Sequence, residues 1–156
     1  MRIVCDTREQ KPYLFTGPQY EGVEVERAAL QTGDYSLVGL ESIVAVERKS
    51  LDDLIQSMGR ARERFEKELA RGQALQAFAV VIEGSFLDLR DGNYGPRMWP
   101  KAACQSVLAL SQRYRVAFLF AGNRAGGEYA VHGFLKHFLE DSRRRLDAIV
   151  KAHDAA

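Results

Sequence analysis

Two continuous apolar runs constrain the fold of this chain more than any other feature. The first lies within "ALQAFAVVIEG", residues 74–84, and the second is "VAFLFAG", residues 116–122. Neither run alternates between apolar and polar residues, so each predicts a strand that is buried on both of its faces. A sheet that contains such strands needs helices packed on both sides.

Helical periodicity supplies those helices. Apolar residues recur at helical spacing in three segments, residues 54–69, 103–110 and 131–150. A break at Gly59 would divide the first helix into two, and the last helix begins at about Glu128. Two segments are predicted as irregular: "LRDGNYGPRMWP", residues 89–100, is a loop that leads into the second helix, and "GNRAGG", residues 122–127, is an ordinary turn.

The first 50 residues predict the remaining strands. Residues 2–5 and 23–30 are strand candidates, and residues 34–38 and 43–49 form a hairpin closed by a turn at Gly39. Strands followed by alternating helices and strands predict an α/β fold with a mixed β-sheet flanked by helices. With 156 residues, of which 46% are hydrophobic, the chain has the size and composition of one domain over residues 1–156.

Composition limits the location and the partners. Cys5 and Cys104 lie far apart without metal-binding spacing, and a secreted disulfide framework normally uses more cysteines. The sequence shows neither a secretory leader nor a run of roughly 20 apolar residues, so we expect a cytoplasmic protein without a membrane partner. Because the net charge is only +1, any contact with nucleic acid must come from local clusters of Lys and Arg.

The second strand of the hairpin ends in an unusual way. Its apolar residues 43–46 run directly into the three charges of Glu47, Arg48 and Lys49. Side chains alternate between the two faces of a strand, so Glu47 and Lys49 share one face and Arg48 points to the other. Charged side chains do not stabilise a strand that enters the core, so we expect these three residues to have a function.

The register of the hairpin brings a second acid to Glu47. A turn that pairs Val38 with Ile43 places Asp34 directly opposite Glu47, with Cβ atoms roughly 5 Å apart. Like charges in that position destabilise a sheet unless a cation binds between them. Mg²⁺ and Mn²⁺ prefer oxygen ligands, typically carboxylates together with water and phosphate oxygens. The pair therefore predicts a metal site for phosphodiester chemistry, with Lys49 beside it to position the attacking water.

Two structural explanations compete with this one. Lys49 can form an ordinary ion pair with Asp34 or Glu47 at a solvated strand end, and spacing alone does not decide between the explanations. In "SLDD", Ser50 is placed as a helix N-cap with Asp53 three residues later, a capping-box arrangement that needs no catalysis. Both roles of Asp53 can hold together, because a capped helix would fix the rear wall of the site.

The same charged residues match a known pattern. "GDY", followed after a short interval by "VERKSLDDL", resembles the nuclease signature of the xeroderma pigmentosum group F (XPF) family. All members of that signature are present, namely Gly33, Asp34, Glu47, Arg48, Lys49 and Asp53. "DTRE" resembles the family's Asp-x-Arg-Glu, and "VVIEG" resembles the strand that follows the family's active site. The resemblance covers about residues 2–137.

The resemblance implies a fold and a chemistry. The fold is a restriction-endonuclease-like core. The chemistry is Mg²⁺- or Mn²⁺-dependent hydrolysis of phosphodiester bonds in branched, flapped or forked DNA, during repair or recombination. By analogy Asp34 and Glu47 are metal ligands, with Asp6 as an additional acid that could help to hold a second ion. Lys49 assists the nucleophilic water.

The resemblance also implies roles for the two arginines of the site. Arg8 and Arg48 would contact phosphate or brace the acids. Asp53 completes the signature, and the resemblance gives its role least clearly.

The resemblance leaves the assembly open. Many members of the family carry tandem helix-hairpin-helix modules or a helicase, for which this sequence has no segment. We therefore expect one of two arrangements. Either a partner protein supplies additional DNA binding, or the chain is a compact standalone nuclease of the kind expected in bacteria or phages, where it would be associated with the nucleoid. Family nuclease domains pair through their late helices, so the stripes at 103–110 and 131–139 predict a homodimer surface. Packing of both stripes on the sheet is the open alternative.

A basic surface follows the hairpin. It consists of Arg60, Arg62, Arg64 and Lys67. These side chains predict a DNA-binding face that holds phosphates without reading bases. The alternative is a solvated helix face with Arg64–Glu68 and Glu63–Lys67 ion pairs.

Two other functions stay open. One is an inactive nuclease domain that binds DNA and scaffolds an active partner, against which the intact acids and Lys49 argue. The other is a junction resolvase or end-processing nuclease on the same core. Better cutting of four-way junctions or blunt ends than of flaps and forks would favour it.

Overall fold

A six-stranded mixed sheet forms the centre of the computed structural model, which describes residues 1–155. The strands are β1 (Arg2–Asp6), β2 (Glu24–Ala28), β3 (Tyr35–Leu37), β4 (Val44–Ser50), β5 (Ala77–Glu83) and β6 (Ala117–Phe120). Their order across the sheet is β2-β1-β3-β4-β5-β6. β3 is antiparallel to both of its neighbours, and the other neighbouring strands are parallel. The predicted mixed sheet is therefore confirmed.

Helices cover both faces of this sheet. They are α1 (Leu51–Met58), α2 (Arg62–Gln73), α3 (Phe86–Asp91), α4 (Pro100–Tyr114) and α5 (Arg124–Asp154), with a short 3₁₀ helix at Pro18–Tyr20. Helices α1 to α4 pack over Ala45, Val80 and Ile82 on one face. On the other face, α5 packs over Val46 and Val81. The sheet thus separates two apolar cores, as the buried strands required.

The predicted break at Gly59 is confirmed, because α1 ends at Met58 and α2 begins at Arg62. Two other boundaries differ from the prediction. Helix α3 extends into the predicted loop as far as Asp91, because Ser85 begins it with a capping box. The turn predicted at residues 122–127 is largely the first turn of α5, whose N-cap, Asn123, accepts a hydrogen bond from Gly126.

The two apolar runs differ in burial. The interior of β5 is buried on both faces, as predicted. In β6 the residues are half-buried or exposed, so the prediction of full burial is wrong for this strand. The reason is its position at the edge of the sheet, where it has a neighbour on one side only.

The hairpin of β3 and β4 has the predicted register. Tyr35 pairs with Val46, which is a pair of the register that places Asp34 opposite Glu47. Gly33 precedes this pair with φ of +76°, a conformation that residues with a Cβ rarely adopt. A Cβ at Gly33 would also lie 2.9 Å from the carbonyl oxygen of Val46. The glycine of the signature is therefore required by the close approach of the two strands.

The apolar stripes of the late helices pack on the sheet. Ala103, Val107 and Leu110 of α4 are buried in one core, and Val131 and Leu135 of α5 are buried in the other. These side chains therefore follow the alternative prediction, that the stripes pack on the sheet and do not form a dimer surface. Beyond them, residues 143–154 of α5 are exposed on all sides. Within residues 1–155, no helix combines the length and apolar character that crossing a bilayer requires.

Asp6, at the end of β1, anchors Arg8. Its two side-chain oxygens accept four hydrogen bonds, from the backbone N–H groups of Arg8 and Leu30 and from Nε and Nη2 of Arg8. A carboxylate offers about four acceptor positions, so none is left for a cation. A cation would have to displace one of these hydrogen bonds, and the role of Asp6 as a metal ligand, with the second ion that it could help to hold, stays a prediction.

The ion pair between Asp6 and Arg8 should make stability depend on pH. The Arg8 guanidinium and the N–H of Leu30 lower the pKa of the buried Asp6 carboxyl from 3.8 to about 2. A lowered pKa means that the unfolded chain binds the proton more readily, so the stabilisation is complete above about pH 4 and is lost as the pH falls through about 2. We expect Asp6→Asn to cost about 2 kcal/mol at pH 7, and less as the pH approaches 2.5.

Urea unfolding of the wild type and the variant between pH 7 and pH 2.5 measures this difference. Asp147→Asn, a change on the exposed part of α5, is the control and should stay within about 0.5 kcal/mol of the wild type. A difference between Asp6→Asn and the wild type that stays constant over the whole pH range would contradict the ionic explanation.

Candidate active site

The charged end of β4 opens into a cleft at the carboxyl ends of β4 and β5. Its volume is ≈ 670 Å³. The predicted site residues that line it are Arg8, Asp34, Glu47, Arg48, Lys49, Asp53, Arg60 and Arg64. The hairpin and the helices after it therefore bring every charged residue of the signature to one concave surface. Of the other predicted residues, Asp6, Arg62 and Lys67 do not line this cleft.

Glu47 and Lys49 form an ion pair in the cleft, with Oε1 and Nζ 2.8 Å apart. Their side chains are only 8% and 11% exposed, so this pair does not lie at the solvated strand end of the competing explanation. Asp34 stands across the hairpin, where its Oδ2 accepts a hydrogen bond from the N–H of Arg48 at 2.8 Å. The hairpin thus holds two carboxyl groups and one ammonium group together, largely shielded from water.

A third acid, Glu68 of α2, reaches the same place. Its Oε2 lies 3.9 Å from Nζ of Lys49, whose ammonium also sits 4.9 Å from the ring centre of Phe65. The predicted pairing of Glu68 with Arg64 is not among the ion pairs of residues 1–155, whereas the predicted pair of Glu63 and Lys67 is present. Glu68 was not predicted as a site residue, because its helical spacing from Arg64 predicted an ion pair between these two side chains.

The charged groups in this pocket shift one another's pKa values. Burial and the negative charge of Glu47 raise the pKa of Asp34, and the same two causes raise the pKa of Glu68. Burial opposes the charged form of Lys49, but the charges of Glu47 and Glu68 outweigh it and raise the pKa of Lys49. The ammonium group is therefore firmly protonated, while three carboxyl groups compete for one positive neighbour.

The donor set fits a divalent cation that prefers oxygen. Among residues 1–155, no group of three or more His, Cys, Asp and Glu side chains has the geometry of a metal site. Mg²⁺ needs fewer protein ligands, because it is usually held by one or two carboxylates and several waters. Asp34 and Glu47 offer two carboxylates. Burial raises the pKa of Asp34 most, the negative charge of Glu47 raises it further, and a cation between the two groups would relieve that repulsion.

Arg48 belongs to a separate network on the opposite face of β4. Its guanidinium donates to Oε1 and Oε2 of Glu83 at 2.9 and 2.8 Å, and Nη1 lies 3.4 Å from Glu9. Tyr13 donates to the same Glu83 at 2.7 Å, and Arg124 lies 3.3 Å from it. With a side chain only 10% exposed, Arg48 holds β4, β5 and the N-terminal loop together. The side chain of Arg48 thus contacts Glu83 and Glu9, and only its backbone N–H contacts the predicted metal ligand Asp34, so its two predicted roles stay predictions.

Arg8 is more available than Arg48. Its side chain is 73% exposed, although Nε and Nη2 are held by Asp6 and by the carbonyl of Leu30. The anchored guanidinium therefore presents its remaining donors to the cleft from a fixed position. Such a fixed arginine suits recognition of a phosphate group.

Asp53 has the local role that the sequence suggested. Its backbone N–H donates to Oγ of Ser50, the N-cap of α1, and Oγ donates back to Oδ2 of Asp53 at 2.6 Å. The cap fixes the start of α1 directly after the charged end of β4. Asp53 nevertheless lines the cleft, so capping and a contact with substrate are compatible.

The predicted basic face divides into two parts. Arg60 and Arg64 line the cleft, and neither is among the ion pairs of residues 1–155. Arg62 instead pairs with Glu66 at 2.7 Å, and Lys67 pairs with Glu63 at 2.7 Å. Two of the four predicted cations therefore line the cleft and the other two pair with acids on α2, and the role of all four in binding DNA stays a prediction.

Comparison with known proteins places this geometry in a family. The model of the ERCC4 domain matches residues 5–125. The structure of XPF from Aeropyrum pernix is similar with a TM-score of 0.68 and 21% sequence identity, over 97% of this chain and 73% of that chain. XPF from Aeropyrum pernix in complex with DNA gives a TM-score of 0.65 and 19% identity, over 90% of this chain and 66% of that chain.

No curated protein matches the chain significantly. The two structural similarities establish the fold, in which a mixed sheet carries the charged signature at the end of a central hairpin. The family model covers most of the chain, including every residue of that signature. The chain therefore belongs to the ERCC4 domain family, with the restriction-endonuclease-like fold of an XPF-type nuclease domain.

Proposed function

We propose that this chain is a divalent-metal-dependent DNA endonuclease that hydrolyses phosphodiester bonds in branched, flapped or forked DNA during repair or recombination. Membership of the ERCC4 domain family supports a DNA nuclease. One similar structure is an XPF complex with DNA, which supports DNA as the substrate. The observation that carries the proposal is the placement of Asp34 and Glu47 beside the ammonium of Lys49 in one cleft.

This placement is hard to explain by stability alone. Buried carboxylates that face each other are destabilising unless each is paired, and one ammonium does not neutralise Asp34, Glu47 and Glu68. A sequence selected for folding alone would gain by replacing one of the acids with an apolar residue. The cluster is more simply explained as a site that a cation completes, because a bound cation would favour the ionised form of carboxyl groups whose pKa is raised without it.

Each residue of the cleft has a role in this proposal. Asp34 and Glu47 would hold Mg²⁺ or Mn²⁺, which supplies a bound water of lowered pKa and polarises the phosphate. Lys49, fixed by Glu47 and Glu68, would orient the attacking water and offset the negative charge that develops on the phosphate oxygens. Arg8 would bind a neighbouring phosphate through the guanidinium donors that Asp6 leaves free.

Cleavage assays test these roles. We expect the wild type to cut labelled flap or fork DNA in Mg²⁺ or Mn²⁺ and to be inactive in EDTA. Asp34→Asn removes a ligand charge and Lys49→Ala removes the ammonium, so each should lower the rate by about 10²-fold or more. Asp147→Asn on α5 is the control and should cut at the wild-type rate.

The outcomes separate the competing functions. Cutting without metal, or full activity in both Asp34→Asn and Lys49→Ala, would falsify the assignment. DNA binding without cleavage of any substrate would favour an inactive scaffold. Faster cutting of four-way junctions or blunt ends than of flaps and forks would favour a resolvase or an end-processing nuclease.

Arg60 and Arg64 would guide the DNA to this centre. Both are exposed and line the cleft on the side of α1 and α2. Cations in such positions bind phosphates of any sequence, because the backbone is the same at every nucleotide. The ion-paired Lys67 is an exposed cation on the same helix as Arg64 that does not line the cleft.

The salt dependence of DNA binding distinguishes Arg64 from Lys67. Arg64→Ala should weaken DNA binding to a similar degree for unrelated sequences and reduce the slope of log K against log salt by about 0.9, the value for one lost phosphate contact. Lys67→Ala should leave both quantities unchanged. Fluorescence anisotropy between 50 and 300 mM KCl measures them, and equal behaviour of the two variants would remove Arg64 from the DNA path.

We also propose that the chain forms a homodimer, through the edge of the sheet instead of the buried stripes. A groove of ≈ 460 Å³ lies there and is lined by residues that include Phe86, Leu108 and Phe120. Leu108 of α4 is 53% exposed beside β6. An apolar groove next to an open strand edge is typical of an interface, and the resemblance to a family that pairs through its late helices favours a second copy.

Molar mass in solution tests the dimer. Leu108→Glu should convert it to a monomer, because the charge would be buried without a partner in the interface. Leu14→Glu, at a residue that is 68% exposed and does not line the groove, should keep the dimer. Light scattering after gel filtration measures both variants. A monomeric wild type would refute this part of the proposal, and co-purification of a different protein would indicate a partner instead.

A further inference from the structure

A second groove continues the cleft past Arg60. Its volume is ≈ 420 Å³. One wall is the end of α1 and the turn after it, with Ile55, Gln56, Gly59 and Arg60, and the other wall is the loop of residues 96–98. Gln56 and Arg60 line both the groove and the cleft. A strand of DNA that passes through the cleft can therefore continue into the groove without leaving the protein surface.

The wall formed by the loop is held in place. The N–H of Gly95 donates to Oδ1 of Asp52 on α1 at 2.9 Å, and the hydroxyl of Tyr94 donates to the carbonyl of Met98 at 2.9 Å. Tyr94 and Met98 also pack against the core beneath α1 and α4. The groove is thus a preformed feature with two fixed walls.

The lining of the groove combines two kinds of chemistry. Ile55, Pro96 and Met98 make it apolar, and Arg60 and Arg97 add positive charge. Arg97 is exposed and is not among the ion pairs of residues 1–155. A paired duplex presents phosphates and groove edges but keeps the faces of its bases stacked inside. An unpaired nucleotide offers both a flat apolar face, which the aliphatic side chains of the groove can contact, and a phosphate, which its arginines can bind.

We propose that this groove binds an unpaired nucleotide of the DNA strand that leaves the cleft. The proposal rests on the nuclease function described above and adds the place where the unpaired part of a flap or fork binds. Met98 and Pro96 would contact the base, and Arg97 would contact its phosphate. The adjacent Arg60 would hold the phosphate at the border between the groove and the cleft.

Trp99 gives this proposal a direct optical test. It is the single tryptophan of the chain, directly follows Met98 and is 83% exposed. In EDTA, which prevents metal-dependent cleavage, a duplex with a single-stranded tail should quench the emission of Trp99, because a nucleotide bound against residues 96–98 changes the surroundings of the residue that follows them. A blunt duplex of the same length should quench it much less.

A charge reversal supplies a second test. Arg97→Glu should lower the ratio of affinities for tailed and blunt DNA by about tenfold, within the range for one stacked, phosphate-bound nucleotide. Arg115→Glu is the matched control, because Arg115 is an exposed arginine before β6, at the end of the sheet opposite the cleft. This control should keep the wild-type ratio.

The results separate this proposal from the one on which it rests. Equal quenching of Trp99 by tailed and blunt DNA, or an unchanged affinity ratio in Arg97→Glu, would overturn the groove proposal while metal-dependent cleavage by the wild type still supports the nuclease. If the wild type binds no DNA at all, both proposals fail.

Discussion

The repulsion between Asp34 and Glu47 is the interaction on which the rest of this structure depends. Two carboxyl groups held across a hairpin and removed from water cannot both ionise without a high cost in free energy. Burial and the negative charge of Glu47 accordingly raise the pKa of Asp34. The fold tolerates this cost because the hairpin is fixed from both sides, by the close contact of Gly33 with Val46 and by the sheet on either side of it.

Alternation along β4 lets one strand serve two electrostatic tasks. Glu47 and Lys49 point toward α2, where Lys49 lies beside Glu68 and Phe65, and line the cleft. Arg48, between them, points to the other face and is satisfied by Glu83 and Glu9. Because successive side chains face opposite ways, the buried pairing of Arg48 can stiffen the strand without neutralising the acids that a metal needs. A separate structural segment for each task would be less compact.

The sequence predicted whatever depends on local periodicity and missed what depends on packing between distant segments. The register of the hairpin, the cap at Ser50 and the break at Gly59 follow from neighbours in sequence, and the structure agrees with all three. Glu68 entered the site only because α2 packs against the hairpin. The sequence also did not predict that Arg8, two residues further along the chain, donates hydrogen bonds to both side-chain oxygens of Asp6.

The cleft can bind DNA only if its own charges are balanced. With a net charge of +1 the whole chain exerts little long-range attraction on a polyanion, and the acids at the centre would repel a phosphate. In the proposed complex, Arg8, Arg60 and Arg64 would attract the backbone around that centre, and the scissile phosphate would sit beside Asp34 and Glu47. A cation bound there favours the phosphate, and the phosphate in turn favours the cation. By linkage, each therefore binds more tightly in the presence of the other.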